Sequence, residues 1–110
     1  MKYKSILLDV DGTLVPVGPH TKPSAKVTQA LKQAKSKVHI SVVSGRPLEW
    51  LKELFEILEL TSPCIINGGS QIVDPRTKQI LWERPLQQED VKKILDLVKI
   101  EHSQHFTEPP

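Results

Sequence analysis

Apolar positions along this chain switch between two periods. Residues 4–8 form a short apolar run ending in Ile6-Leu7-Leu8, which reads as a buried strand. A Gly- and Pro-rich stretch follows, from Gly12 to Pro23. Ser24 can then cap a helix with Val27, Ala30, Leu31 and Ala34 at the i, i+3, i+4, i+7 spacing of one stripe. Val38 to Val43 is β-branched and predicts a second strand. Pro47 suits the first turn of a second helix whose Leu48, Leu51, Phe55 and Leu58 share a face. Cys64-Ile65-Ile66 reads as a third, short strand. Strand–helix–strand–helix–strand requires parallel pairing with right-handed crossovers, so the class is α/β.

Beyond the third strand the pattern changes. Ser70–Val73 and Gln79–Trp82 are strand-like and flank Asp74-Pro75-Arg76-Thr77-Lys78, a hairpin with a five-residue turn. A third helix is expected over about Gln88–Ile100, with Val91, Ile94, Leu95 and Val98 on one side. Glu101 to Pro110 is polar, has no period and is expected to fray.

Composition narrows the field. At 110 residues the chain has room for one domain, and 15 Lys+Arg against 13 Asp+Glu gives a formal charge of +2. That is not the strongly basic balance of a protein built around nucleic-acid phosphates. Cys64, alone of its kind, can form neither an internal disulfide nor a thiolate metal cluster, which fits a reducing compartment. The apolar run after Met1-Lys-Tyr-Lys stops at two aspartates, too short for an export signal or a membrane span. A cytoplasmic protein with no membrane partner is the expectation.

Candidate chemistry collects behind the strands. Open parallel sheets bind ligands beyond the carboxyl ends of their strands. Here the first strand is followed by Asp9-Val10-Asp11-Gly12-Thr13, the second by Ser44-Gly45-Arg46 and the third by Asn67-Gly68-Gly69. Asp9 and Asp11, two residues apart, can face the same way and repel each other unless a cation or a shared proton intervenes. A hard divalent ion such as Mg²⁺, held also by substrate phosphate oxygens, is the natural neutraliser. Gly12 and Thr13 open a loop whose N–H groups and hydroxyl can hold anionic oxygens. An isolated Asp pair would be read as a solvated strand end; the attached Gly-Thr-Leu and the two further clusters favour a site. A calcium loop is excluded, because Gly12 comes too early and a strand precedes it.

Leu8-Asp9-Val10-Asp11-Gly12-Thr13-Leu14 resembles the first motif of the haloacid-dehalogenase-like hydrolases, the D-x-D-G-T phosphotransferase signature. Val42-Val43-Ser44-Gly45-Arg46 is similar to their second motif. Ile65-Ile66-Asn67-Gly68-Gly69, the hairpin, and Pro85-Leu86 before a helix resemble the Cof-type branch, which inserts an α/β cap after the third core strand. The likeness covers about residues 3–100. It implies a partial Rossmann-like parallel sheet of three core strands in the order three-two-one, with flanking helices, a β-hairpin and the first helix of a cap. The division implied is a core part over 1–85 and the start of a cap, or a truncated tail, over 86–110.

The resemblance also implies roles. Asp9 would be the nucleophile that becomes an aspartyl phosphate, and Asp11 the general acid and then base. Mg²⁺ would be held by the Asp9 carboxylate and the Asp11 carbonyl. Ser44 would donate to phosphoryl oxygens, with Gly12, Thr13, Gly45, Asn67 and Gly68 lining the crevice. Substrates would be small phosphorylated metabolites such as sugar phosphates.

The family pattern continues with a lysine at a helix start and a Gly-Asp-x-x-x-Asp motif, and neither is found in these 110 residues. The expectation is therefore an incomplete nucleophile half, inactive alone, whose exposed first strand invites pairing between copies. The alternative is a non-catalytic remnant that binds phosphate or a partner protein. Lys92 and Lys93 read as a solvated helix face, and His102 and His105 as solvated histidines. His39 and Cys64 read as structural residues. Trp50 and Trp82 read as cover for apolar surface. Arg46 could touch phosphate or could cap or pair near the second helix.

Overall fold

The computed structural model describes residues 2–18 and 21–105. The first apolar run extends as β1, Ser5–Asp9, and the β-branched run as β2, His39–Val43, paired in parallel with Ser5 opposite His39 and Asp9 opposite Val43. Between them lies α1, Ala25–Ala34, capped by Ser24, whose Oγ accepts the Val27 N–H at 3.2 Å. Cys64–Ile66 forms β3, parallel to β2. The expected second helix is split. Pro47 leads into a 3₁₀ turn, Leu48–Trp50, and α2 proper runs over Lys52–Leu58. In a 3₁₀ turn positions i and i+3 eclipse, so Leu48 and Leu51 can both pack towards the core.

The hairpin strands are β4, Gln71–Val73, and β5, Ile80–Glu83, close to the expected bounds. The Asn67–Gly69 turn folds β4 back on β3, with Cys64 opposite Val73, so the sheet is mixed and its order is β1-β2-β3-β4-β5. The three-two-one order of the parallel strands is as expected. The hairpin's attachment to β3 was not legible in the sequence.

Ile40 and Val42 of β2, Cys64 and Ile66 of β3 and Val73 of β4 are buried in one cluster with Leu51, Leu54, Phe55 and Leu58. Right-handed crossovers place α1 and α2 on the same side, and the two helices touch. The opposite face is open, and this corrects the reading of β1 as a buried strand. Leu7, on the open face, is 56% exposed, and Ile6, on the helix side but at the sheet edge, is 38% exposed.

The third helix, α3, spans Gln88–His105 and continues through residues 101–105, where fraying was expected. Residues 106–110 of that tail lie outside the described residues. Every residue from Ile80 to Ile100 is exposed. Among the described residues no helix is long and apolar enough to cross a membrane.

Candidate active site

Parallel pairing puts the ends of β1, β2 and β3 at one edge of the sheet, so the three polar clusters are neighbours. Asp9 is the last residue of β1 and pairs with Val43, the residue before Ser44. Past it the chain closes a tight loop. The Val10 carbonyl accepts N–H groups from Thr13 at 3.2 Å, Leu14 at 2.9 Å and Val15 at 3.1 Å, while Gly12 donates to the Val15 carbonyl at 2.8 Å. Gly12 has φ +79°, a conformation that glycine adopts without strain. Val10, Leu14 and Val15 are buried and anchor this loop to the core. The Gly12 and Thr13 N–H groups thus donate within the loop, to the Val15 and Val10 carbonyls.

Ser44 is 4% exposed and fixed on every side. Its N–H donates to the Ile65 carbonyl at 2.9 Å, and its carbonyl accepts the Gly68 N–H at 3.2 Å. Its hydroxyl oxygen accepts the Arg46 N–H at 3.0 Å, which leaves the hydroxyl proton free to donate. Asn67 donates its N–H to the Arg46 carbonyl at 2.9 Å. Asn67, Gly68 and Gly69 all have positive φ, 53°, 68° and 94°, a run that Asn and Gly tolerate best. That backbone turn docks the end of β3 against the end of β2. Gly45 is exposed, with open space where a side chain would begin.

Asp9 and Asp11 are both exposed, and their surroundings differ. The Arg46 guanidinium forks onto Asp11, Nε donating to Oδ2 at 3.0 Å and Nη2 donating to Oδ1. The hydrogen bonds from Arg46 hold the Asp11 carboxyl below the usual carboxylate range, against an opposing effect of burial. In sequence alone Arg46 is compatible with several roles. The signal that could have found the pair is the matching position of an acid and a base just past two adjacent parallel strands. A groove of about 650 Å³ opens beside the pair, with Val15, Lys22, Glu49, Trp50 and Leu54 among its walls. A second, of about 520 Å³, runs from Gly68 and Ser70 past Trp82 and Arg84 to the start of α3. The two tryptophans, expected to cover apolar surface, are 70% and 47% exposed on these grooves. His39 contacts Ser62 through Nδ1 at 3.3 Å. Burial pushes the Cys64 thiol up, which suits a core residue.

The sequence pattern of the haloacid dehalogenase-like hydrolases matches residues 6–108. The chain belongs to that family. Among solved structures, a phosphatase of the haloalkanoate dehalogenase superfamily from Bacteroides thetaiotaomicron is 28% identical, with a TM-score of 0.75, over 88% of this chain and 35% of that one. A haloacid dehalogenase-like hydrolase from the same organism is 26% identical, with a TM-score of 0.73, over 92% of this chain and 39% of that one. Another from B. subtilis is 26% identical, with a TM-score of 0.74, over 90% and 34%. The chain thus spans between a third and two fifths of the length of these structures. No curated protein matches it.

The donor set suits a hard cation in part. Asp9 offers a carboxylate, and among the described residues no N–H is donated to the Asp11 carbonyl. Two such oxygens fit Mg²⁺, which keeps several waters and takes further ligands from substrate phosphate. Among the described residues no three acidic, His or Cys side chains converge.

Proposed function

We propose that this chain carries the nucleophile half of a Cof-type, magnesium-dependent phosphatase acting on small phosphorylated metabolites such as sugar phosphates. The observation that supports the reading is the tying together of the three strand ends at one sheet edge, through the β1–β2 register and the bonds of Ser44 and Arg46 to Ile65, Asn67 and Gly68. Asp9, exposed at the end of β1, attacks phosphorus and forms the aspartyl phosphate as the leaving oxygen departs. Asp11 passes a proton to that oxygen and then takes one from the water that opens the acyl phosphate. Ser44, rigid and with its hydroxyl proton free, donates to a phosphoryl oxygen. Thr13 can add its hydroxyl, while Gly12, Gly45, Asn67 and Gly68 keep the crevice open at the backbone. When bound by the Asp9 carboxylate and the Asp11 carbonyl, Mg²⁺ would neutralise charge on the transferring group. Residues 1–85 are assigned to the core and 86–110, from Leu86 through α3, to the start of a cap.

Acetyl phosphate with Mg²⁺ tests the reading by mass spectrometry. The expected result is one phosphoryl group on Asp9 without repeated turnover, absent from Asp9→Asn and without Mg²⁺. Binding of inorganic phosphate with no labelling of Asp9 would favour a non-catalytic phosphate-binding role instead. Absence of both would overturn each reading.

A further inference from the structure

Arg46 is bonded to all three strand ends at once. Its N–H meets Ser44 Oγ, its carbonyl accepts the Asn67 N–H, and its guanidinium holds both oxygens of Asp11. A guanidinium matches a carboxylate and a phosphate through the same pair of parallel hydrogen bonds. In this structure that seat is filled by an internal carboxylate. The Arg46 side chain is 15% exposed and the Asp11 side chain 42%, so the cation is the fixed partner and the carboxylate the one open to exchange. Among the described residues, Lys22, the other cation lining that groove, is paired with Glu53 at 3.0 Å.

We propose that Asp11 occupies the Arg46 fork in place of a phosphoryl group, and that an anion entering beside Ser44 displaces it and takes the guanidinium. Arg46 is then an anion-binding residue, and its capture by substrate is the event that releases Asp11 for proton transfer. This inference rests on the reading of the crevice as a phosphate site. The driving force is modest on both sides. An exposed ion pair contributes about 0.2–1 kcal/mol, so a dianion that brings its own charge-assisted bonds can replace it.

Binding of inorganic phosphate to the whole 110-residue chain in metal-free buffer, followed by amide NMR, tests the exchange. Asp11→Asn, nearly the same shape without the charge, should tighten binding roughly two- to fivefold, the size of an exposed ion pair. Arg46→Met should weaken it roughly tenfold or more. In the double variant the gain from Asp11→Asn should vanish, because there is no fork left to vacate. A gain that persists there would mean that Asp11 acts by general charge repulsion, and it would overturn the proposal. Absence of phosphate binding in Asp11→Asn would overturn it too. Should Arg46→Met fail to fold, Arg46→Lys, which keeps the charge and loses the fork, replaces it in the cycle with the same expected signs. Labelling of Asp9 by acetyl phosphate is read separately, so the catalytic reading and this one can fail independently.

Discussion

At the scale of single residues, backbone geometry sets the sharpest expectations. Gly68 has φ +68° and open space around a would-be Cβ, so Gly68→Ala meets only backbone strain. It should lower stability by about 1–2 kcal/mol in urea unfolding and loosen the Ser44 contact. Cys64 is fully buried, and its raised pKa keeps it a thiol. It should resist alkylation in the native chain and react at the rate of a free thiol in denaturant. Asp74 accepts the Arg76 N–H at 2.9 Å, and this bond, then the Arg76 side chain, holds its carboxyl below the ordinary value. A carboxylate of that kind stabilises the fold fully above its ordinary range. The contribution is lost as pH falls through the depressed folded value. Unfolding midpoints followed from neutrality down to about pH 3 should therefore drop less steeply in Asp74→Asn than in the parent. Asp9, Asp11, Ser44 and Asn67 could be placed at one edge from sequence, because each directly follows a strand and parallel strands share an edge. The Arg46–Asp11 pair could not, since 35 positions separate its members and only the β1–β2 register brings them together.

Helices and strands were legible where one periodicity dominated, and obscure where packing decided between two. The α1 stripe and its Ser24 cap stand as the spacing predicts, although no residue of α1 is fully buried. With so little burial to hold the helix, Ser24→Ala should cost about 0.5–2 kcal/mol, measurable by denaturant titration. Phe55 in α2 is 1% exposed, and Phe55→Ala should cost about 3–5 kcal/mol by the same measurement. The split before α2 had no sequence signal, because the tight turn and a continuous helix both place Leu48 and Leu51 inward. The extension of α3 over residues 101–105 was missed for the opposite reason. A helix whose residues 88–100 are all exposed already propagates without burying an apolar stripe, at one more hydrogen bond per residue.

For the molecule as a whole, the radius of gyration is 18.3 Å, against about 13 Å for a compact chain of this size. The excess reflects β5 and α3, which reach away from the core at the sheet edge opposite β1, so α3 does not fold back to cover the first strand. β1 therefore remains an apolar edge with open backbone groups, the arrangement that favours pairing between chains. Light scattering across a concentration series should show self-association that Leu7→Lys, a charge on the open face of the edge, reduces. The strand order has a further consequence, for the order in which the fold assembles. Each strand pairs with its immediate predecessor in the chain, and the loops to be closed shorten from β1–β2 to the hairpins. Loop-closure entropy grows with length, so the β4–β5 and β3–β4 hairpins can form on a timescale of roughly 1–10 μs while β1 docks last. The strand that carries Asp9 is thus the last to join the sheet. Its amide hydrogens should exchange with solvent at a lower opening free energy than those of β2 and β3. A sheet edge assembled at the final step leaves Asp9 on the part of the fold that opens first.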